Sequence, residues 1–263
     1  MTNRHSWLAG LVAGAIATSP LAVAAQCRAS SPDRQVALFE LYTSEGCDSC
    51  PPADRWLSAL GRGADASHAV ALAFHVDYWD RLGWRDRFGS AAYTARQHQQ
   101  ALRQREAFVY TPQVLLQGED FSWREPGQPA AAIAAINAMP ARAKIEVIAA
   151  PAERGSATID VRARIGEARD RAHAAIAVAL VQDGLASDVK AGENAGRRLT
   201  HDHVVRQWHA GEARFDAGGE ASEHLVLALP DDAGALSVVA LVEDEASGTV
   251  LQALSLPLCA APR

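Results

Sequence analysis

The sequence predicts two parts, an α/β half built on a parallel sheet and an all-β, sandwich-like half. Three observations carry this. Two apolar runs, residues 36–42 and 70–76, flank a helical stretch at 53–60, the pattern of a βαβ unit. A Cys-x-x-Cys pair, Cys47-Asp48-Ser49-Cys50, stands between the first run and that helix, a position suited to thiol chemistry. From Lys144 onward the texture changes to short apolar or alternating runs separated by turns such as Arg154-Gly155-Ser156 and Pro230-Asp231-Asp232, the spacing of a sandwich.

The elements follow in order. Residues 1–25 read as a secretory signal, with Arg4 near the start, an apolar region over 7–16 and Val23-Ala24-Ala25 as a small-residue cleavage site. That apolar run is short and Ala/Gly-rich for a membrane span, and no other stretch is long and apolar enough to make one. The expectation is therefore an exported chain, periplasmic or secreted, with no membrane contact after cleavage. Removing Arg4 would take the formal charge from −6 to −7. No basic stretch with interleaved aromatics is present, which argues against nucleic acid as a partner. With 263 residues, 49% hydrophobic and 21% charged, composition is that of a globular protein. The α/β domain is expected over 33–141 and the β domain over 142–260.

Within the first domain, Gly61-Arg62-Gly63 stops the first helix. Residues 77–88 are polar and aromatic without a clear period and read as an ordered loop. Ser90 can cap a helix over about 91–106. A strand follows over 109–118 with Pro112 at its entry, a position where a strand tolerates proline. That Thr111-Pro112 bond suggests a cis-proline loop facing the sulfurs, the alternative being a trans proline in a turn. A third helix over 127–139 ends at Pro140. The β half contains seven runs, at 144–150, 157–165, 174–181, 204–208, 224–229, 236–242 and 250–256.

The cysteine spacing has a physical reason. Residues three apart in a first helical turn share a face, so the two sulfurs can meet. The helix N-terminus offers unpaired N–H groups and a partial positive charge that favour a thiolate. Pro51 and Pro52 fit there because the N–H groups they lack would have no helical partner. Glu45 and Asp48 flank Cys47 and oppose the helix terminus, which points to a pair of the more reducing sort. Export permits disulfides, and four cysteines allow three pairings. The expected one is Cys47 with Cys50 and Cys27 with Cys259. The second pair would tie the ends of the mature chain together, or bridge two molecules.

Two readings of the cysteine pair stay open. In the functional one Cys47 attacks and Cys50 resolves, exchanging disulfides with a protein or small-molecule thiol and needing no cofactor. In the other the pair is a local structural crosslink. Copper or zinc binding is a second class of function, since two thiolates and a histidine make a soft site. His75 closes the second strand with Asp77 two residues on, and His201 and His203 would share a face if 200–208 is a strand. An exposed polar strand face is the plainer account of the latter two, and a hydrogen-bonded core histidine that of His75. A third class is a binding module, in which Tyr78, Trp79, Trp84 and Phe88 rim the cysteines or instead pack a core.

The order of strand, Cys-x-x-Cys, helix, strand, helix, Thr-Pro, strand and helix resembles the thioredoxin fold. More narrowly, Thr43-Ser44-Glu45-Gly46-Cys47-Asp48-Ser49-Cys50-Pro51-Pro52-Ala53-Asp54, Phe74-His75-Val76-Asp77-Tyr78-Trp79-Asp80, Gly83-Trp84 and Val109-Tyr110-Thr111-Pro112-Gln113 resemble the exported bacterial family catalogued as domain of unknown function 1223. The segments Gly192-Glu193-Asn194-Ala195-Gly196 and Val204-Val205-Arg206 fit it as well. The resemblance implies an α/β thioredoxin-like half, export, and a redox site at Cys47 and Cys50 with Pro112 opposite; Glu45, His75 and Asp77 are the residues expected to support that site. It also marks departures. Gly46 replaces the tryptophan that precedes the first cysteine in thioredoxins, and Leu41 fills the slot of their buried acid. Glu40 is adjacent but belongs to the opposite strand face, and Asp77 is another candidate for the missing proton acceptor.

Overall fold

The computed structural model describes residues 26–60, 69–152, 155–232 and 234–259, so the expected signal at 1–25 and the Gly61-Arg62-Gly63 stop lie outside the described residues. The elements are β1 (Cys27–Ser30), β2 (Ala37–Thr43), α1 (Pro51–Leu60), β3 (Ala69–His75), α2 (Ala91–Gln104), β4 (Gln113–Leu116), β5 (Glu119–Asp120), α3 (Gln128–Ala138), β6 (Lys144–Ala152), β7 (Ser156–Arg164), β8 (Ala174–Gln182), β9 (Leu185–Asp188), β10 (Arg198–His201), β11 (Val204–Arg214), β12 (Glu220–Ala228), β13 (Leu236–Asp244) and β14 (Val250–Pro257). Local chemistry accounts for the helix ends. Pro51 and Pro52 open α1, where a missing N–H costs nothing. Ser90 caps α2, its Oγ accepting from Ala92 N at 3.3 Å. No helix among the described residues is long and apolar enough to cross a membrane.

The strand pairings overturn the expected fold class. The chain is mostly β, with three α-helices against fourteen strands among the described residues, and it is not an α/β thioredoxin-like domain followed by a separate β-sandwich. An eight-stranded mixed sheet runs in the order β14-β13-β8-β11-β3-β2-β4-β5. Strands β2 and β3 pair in parallel as a βαβ unit requires. The other edge of β3 then takes β11, also in parallel, through Val204 opposite Ala73. Ala73 N donates to His203 O at 2.8 Å across that join. The later strands therefore extend the first half's own sheet. The physical reason is that β3 would otherwise expose a row of unpaired backbone groups. The expectation of a thioredoxin-like redox protein that leaned on that fold falls with it. The meaning of the cysteine pair rests on its surroundings instead.

A second sheet, β1-β6-β7-β12, packs on the large one. Period-two alternation sorts the side chains. Along fully buried β8, Ile176, Val178 and Leu180 face Ile145, Val147, Ile159 and Val161 of the small sheet. The intervening Ala177, Ala179 and Val181 join Tyr42, Phe74 and Tyr93 in a cluster on the other face. On β2 the same rule sends Ala37, Phe39 and Leu41 toward Ala53 and Leu57 of α1, while Leu38 and Tyr42 face the cluster beside α2. Cys27 pairs with Cys259, Cα–Cα 5.8 Å, which ties β1 to the chain beyond β14.

Arg96 of α2 is buried among three of these strands. It forks onto Glu40 of β2, with Nε and Nη2 donating at 2.9 and 2.8 Å, and onto Glu243 of β13, with Nη1 and Nη2 donating at 3.2 and 3.0 Å. Its guanidinium lies 4.2 Å from the ring of Trp208 on β11. Burial pushes the Glu243 carboxyl up, but the Arg96 charge outweighs it and holds Glu243 below the usual carboxylate range. A group depressed in this way stabilises the fold above its unfolded value and loses that contribution as pH falls through the folded one.

Replacing Arg96 with Met leaves Glu40 buried without its cation and Glu243 with only Arg103, 3.8 Å away, and should cost about 3–5 kcal/mol. Urea unfolding followed by both far-ultraviolet dichroism and tryptophan fluorescence should move together, because the large sheet is shared by both halves of the chain. In the unaltered protein the Glu243 contribution is expected to vanish as pH is lowered below the carboxylate range.

Candidate functional site

The site forms where β2 runs into α1. Cys47 and Cys50 are joined as a disulfide, Cα–Cα 5.4 Å, and both are fully buried, 0% exposed. Asp48 and Ser49 between them face solvent. Ser49 Oγ lies 3.3 Å from Cys47 Sγ, and α1 starts with Ala53 N and Asp54 N both donating to Cys50 O. Gly46 N donates to Ser44 Oγ at 3.1 Å. A Cβ on Gly46 would stand 3.2 Å from Trp79 Cβ, so Trp79 packs where a larger residue before the first cysteine would press.

The turn at 192–196 clamps this loop from the far half of the chain. Asn194 Nδ2 donates to both Glu45 O and Cys47 O at 2.9 Å, and Glu193 Oε2 accepts from Asp48 N at 3.1 Å. Gly192 has φ +73° and sits against Trp84, whose Cβ would lie 3.2 Å from any added Cβ. The turn is therefore part of the cysteine loop's support.

Behind the loop five ionisable side chains are buried together. Asp86 Oδ2 accepts from Glu45 N at 2.9 Å and lies 2.7 Å from His75 Nδ1, while Asp86 Oδ1 accepts from Phe88 N. Glu45 turns inward, taking Trp84 Nε1–H on Oε2 at 2.7 Å, with Oε1 3.3 Å from His201 Nε2. Asp54 accepts from Thr43 Oγ1 at 2.8 Å, and its other oxygen lies 3.9 Å from His201 Nδ1. The His75 and His201 rings meet edge to face, centroids 5.0 Å apart. Among the described residues no group of three or more His, Cys, Asp and Glu stands in a geometry to hold a metal ion.

Environment separates the proton affinities of this cluster. Burial alone would disfavour charge on every member. At His75 the Asp86 charge and hydrogen bond outweigh burial and raise the imidazole's pKa. At Asp86 the same pair overcomes burial and lowers the carboxyl. Glu45 is also lowered against burial, by the approach of His201 at 3.3 Å and the hydrogen bond from Trp84. At Asp54 burial prevails over the more distant histidines and the Thr43 hydroxyl, and the carboxyl is raised.

The structure sorts the other residues singled out in sequence. Asp77 engages Thr94 of α2, whose Oγ1 donates to Asp77 Oδ1 at 2.6 Å. The Thr111–Pro112 bond is cis, and Thr111 Oγ1 accepts from Trp79 Nε1 at 2.8 Å. Glu40 is engaged with Arg96 on the other sheet face. The exposed-face expectation for His201 and His203 is overturned. A tight turn with His203 at φ 59° separates β10 from β11, and His201 is buried, 2% exposed. Phe88 is core with Leu185 and Val204, Tyr78 and Trp79 pack partly against the central cluster, and Trp84 serves Glu45. Sequence reading gave no role to Asp86, Asp54 and Asn194 and took His201 for an exposed strand residue. Only Asp54, four residues after Cys50 and so on its helix face, left a local signal.

Fold and site together define a mostly β protein, with two large sheets and a two-stranded β9–β10 ribbon among the described residues and a disulfide at a helix start backed by buried carboxylates and histidines. The chain belongs to the family of proteins of unknown function DUF1223, whose model matches residues 38–243. The crystal structure of protein AGR_C_4864 from Agrobacterium tumefaciens is similar, with 25% identity and a TM-score of 0.60 over 86% of this chain and 96% of that one. HBP35 of Porphyromonas gingivalis shares the fold at 13% identity, with a TM-score of 0.64 over 86% and 76% of the two chains. No curated protein matches the sequence.

Replacing Asn194 with Ala strands two buried carbonyls and should cost about 1–3 kcal/mol, while dithiothreitol should reduce Cys47–Cys50 faster. The His75–Asp86 pair has a defined pH window. A raised imidazole contributes fully below its ordinary value near 6.5 and loses that contribution as pH rises through the folded value. The stability lost in His75→Gln should therefore shrink between pH 6 and 9 when urea curves of the two proteins are compared.

Proposed function

We propose that the protein is exported and exchanges thiols and disulfides through Cys47 and Cys50, with a protein or small-molecule thiol as its partner. One observation carries this reading. The pair caps the start of α1 and is backed by Glu45, Asp54, His75, Asp86 and His201, all nine-tenths or more buried. A crosslink that only held the loop would gain nothing from five costly ionisable groups behind it, and clustered perturbed carboxyls and imidazoles are characteristic of working sites. The chemistry is sulfur-to-sulfur transfer. A thiolate attacks one sulfur of the Cys47–Cys50 bond and forms a mixed disulfide while the other cysteine leaves as a thiolate; a second thiolate then attacks the partner sulfur, the two external thiols leave joined as a disulfide, and the reduced pair takes up two protons. The partially positive end of α1 favours the thiolate produced. Supporting export are the signal-like residues 1–25 and the two disulfides, which an oxidising compartment sustains.

The second reading is a structural crosslink, and the complete burial of both cysteines favours it. The two readings differ in reducibility. The protein is equilibrated in glutathione buffers, alkylated, digested and weighed, with Cys27–Cys259 as the internal reference. A midpoint for Cys47–Cys50 between about −120 and −270 mV is expected for a working pair. A pair still oxidised below about −300 mV behaves as a structural bond and would reject exchange.

A further inference from the structure

The buried cluster is not uniform, and the difference singles out one member. Two of its three carboxylates have a histidine close by. Asp86 lies 2.7 Å from His75 Nδ1 and Glu45 lies 3.3 Å from His201 Nε2. Both are held ionised by those partners and their other hydrogen bonds. Asp54 lacks such a partner. Its Oδ1 takes the Thr43 hydroxyl, and the nearest histidine nitrogen to Oδ2 is 3.9 Å away. Asp54 is also placed differently from the rest. It stands one helical turn after Cys50, its backbone N–H bonded to Cys50 O at 3.1 Å. Side chains four apart lie on one side of a helix, which places Asp54 one turn along α1 on the side where Cys50 enters it.

We propose that Asp54 takes the proton from the Cys50 thiol when Cys50 resolves a mixed disulfide, with Thr43 and His201 positioning its carboxyl. This rests on the exchange reading given above. Starting from the dithiol and glutathione disulfide, the Cys47 thiolate attacks one sulfur of the disulfide and expels one glutathione thiolate, which gains the proton that Cys47 gave up. Cys50–SH then passes its proton to the Asp54 carboxylate, and its sulfur attacks the Cys47 sulfur. The Cys47–Cys50 bond forms, the bond from Cys47 to glutathione breaks, and the second glutathione thiolate leaves and is protonated at the expense of Asp54. Two electrons have moved from the protein to the glutathione disulfide, and Asp54 returns to its starting state. A carboxyl raised by burial suits this task, because a base works best when its proton affinity lies near the working pH. The charged and titratable groups that face it are His201 of β10, His75 of β3 and Asp86 of the loop after β3.

The test follows the resolution step. Reduced protein is mixed with glutathione disulfide, quenched with acid over time, and the mixed disulfide and the Cys47–Cys50 product are quantified by mass between pH 5 and 9. In the unaltered protein the resolution rate should fall at low pH as Asp54 becomes protonated and level off above that limb. In Asp54→Asn the limb should disappear and the rate at pH 7 drop at least about tenfold, the low end of what a positioned base contributes, recovering as pH rises and Cys50 ionises unaided. Thr43→Val keeps the carboxyl but removes a hydrogen bond that lowers its proton affinity, so its limb should move to higher pH. That second variant decides the matter if Asp54→Asn does not fold. Profiles of the folded variants superimposable on the parent would overturn the assignment of Asp54 alone. A parent protein that never forms the mixed disulfide would overturn both this assignment and the exchange reading.

Discussion

The contact on which the rest depends is the seam between β3 and β11. It is short, with Val204 opposite Ala73 and a hydrogen bond from Ala73 N to His203 O at 2.8 Å. Its consequences are large. Because β11 continues through β8, β13 and β14, one backbone pairing merges two halves of the chain into one sheet. A parallel join of this kind holds only when both faces are covered. Here α2 and the central aromatic cluster cover one face, and Arg96 spans the seam by binding Glu40, Glu243 and the Trp208 ring together.

The same seam assembles the site. The strand that pairs with β3 is preceded by β10 and by the turn at 192–196. Fixing Val204 beside Ala73 brings His201 against Glu45 and Asn194 onto the carbonyls of the cysteine loop. The first half alone would supply the disulfide, His75 and Asp86. The histidine beside Glu45 and the amide that clamps Cys47 come from more than 140 residues further on. Rigidity and chemistry are linked through this arrangement, because the groups that hold the loop in place are the ones that set the proton affinities behind it.

Much of the local structure was legible in the chain. The run at 36–42, the proline-started helix, the Ser90 cap and the alternating runs after Lys144 all follow from periodicity and end chemistry, which act over a few residues. The error lay in dividing the chain where the texture changed. A shift from helix-containing to strand-rich sequence marks a change of local structure, but it carries no information on which strand edges meet. The same limit explains the site. Glu45 and His75 stood out beside the cysteines, whereas Asp86 lay in a loop without period, and His201 read as an exposed strand residue because nothing local shows that β10 ends there.

By itself the sequence determined the cysteine pair at a helix start, the strand faces of Glu40 and Leu41, and the kinship with proteins of unknown function DUF1223. Each is written in neighbouring residues, through spacing of three, alternation of two, or a contiguous motif. Only the tertiary structure decided that the protein is mostly β and that its later strands extend the first half's sheet, that both cysteines are buried, and that two histidines and three carboxylates converge behind them. Those properties depend on contacts between residues far apart in the chain. Burial and mutual approach, rather than residue type, determine which of those carboxyls is held below its ordinary pKa and which is pushed above it.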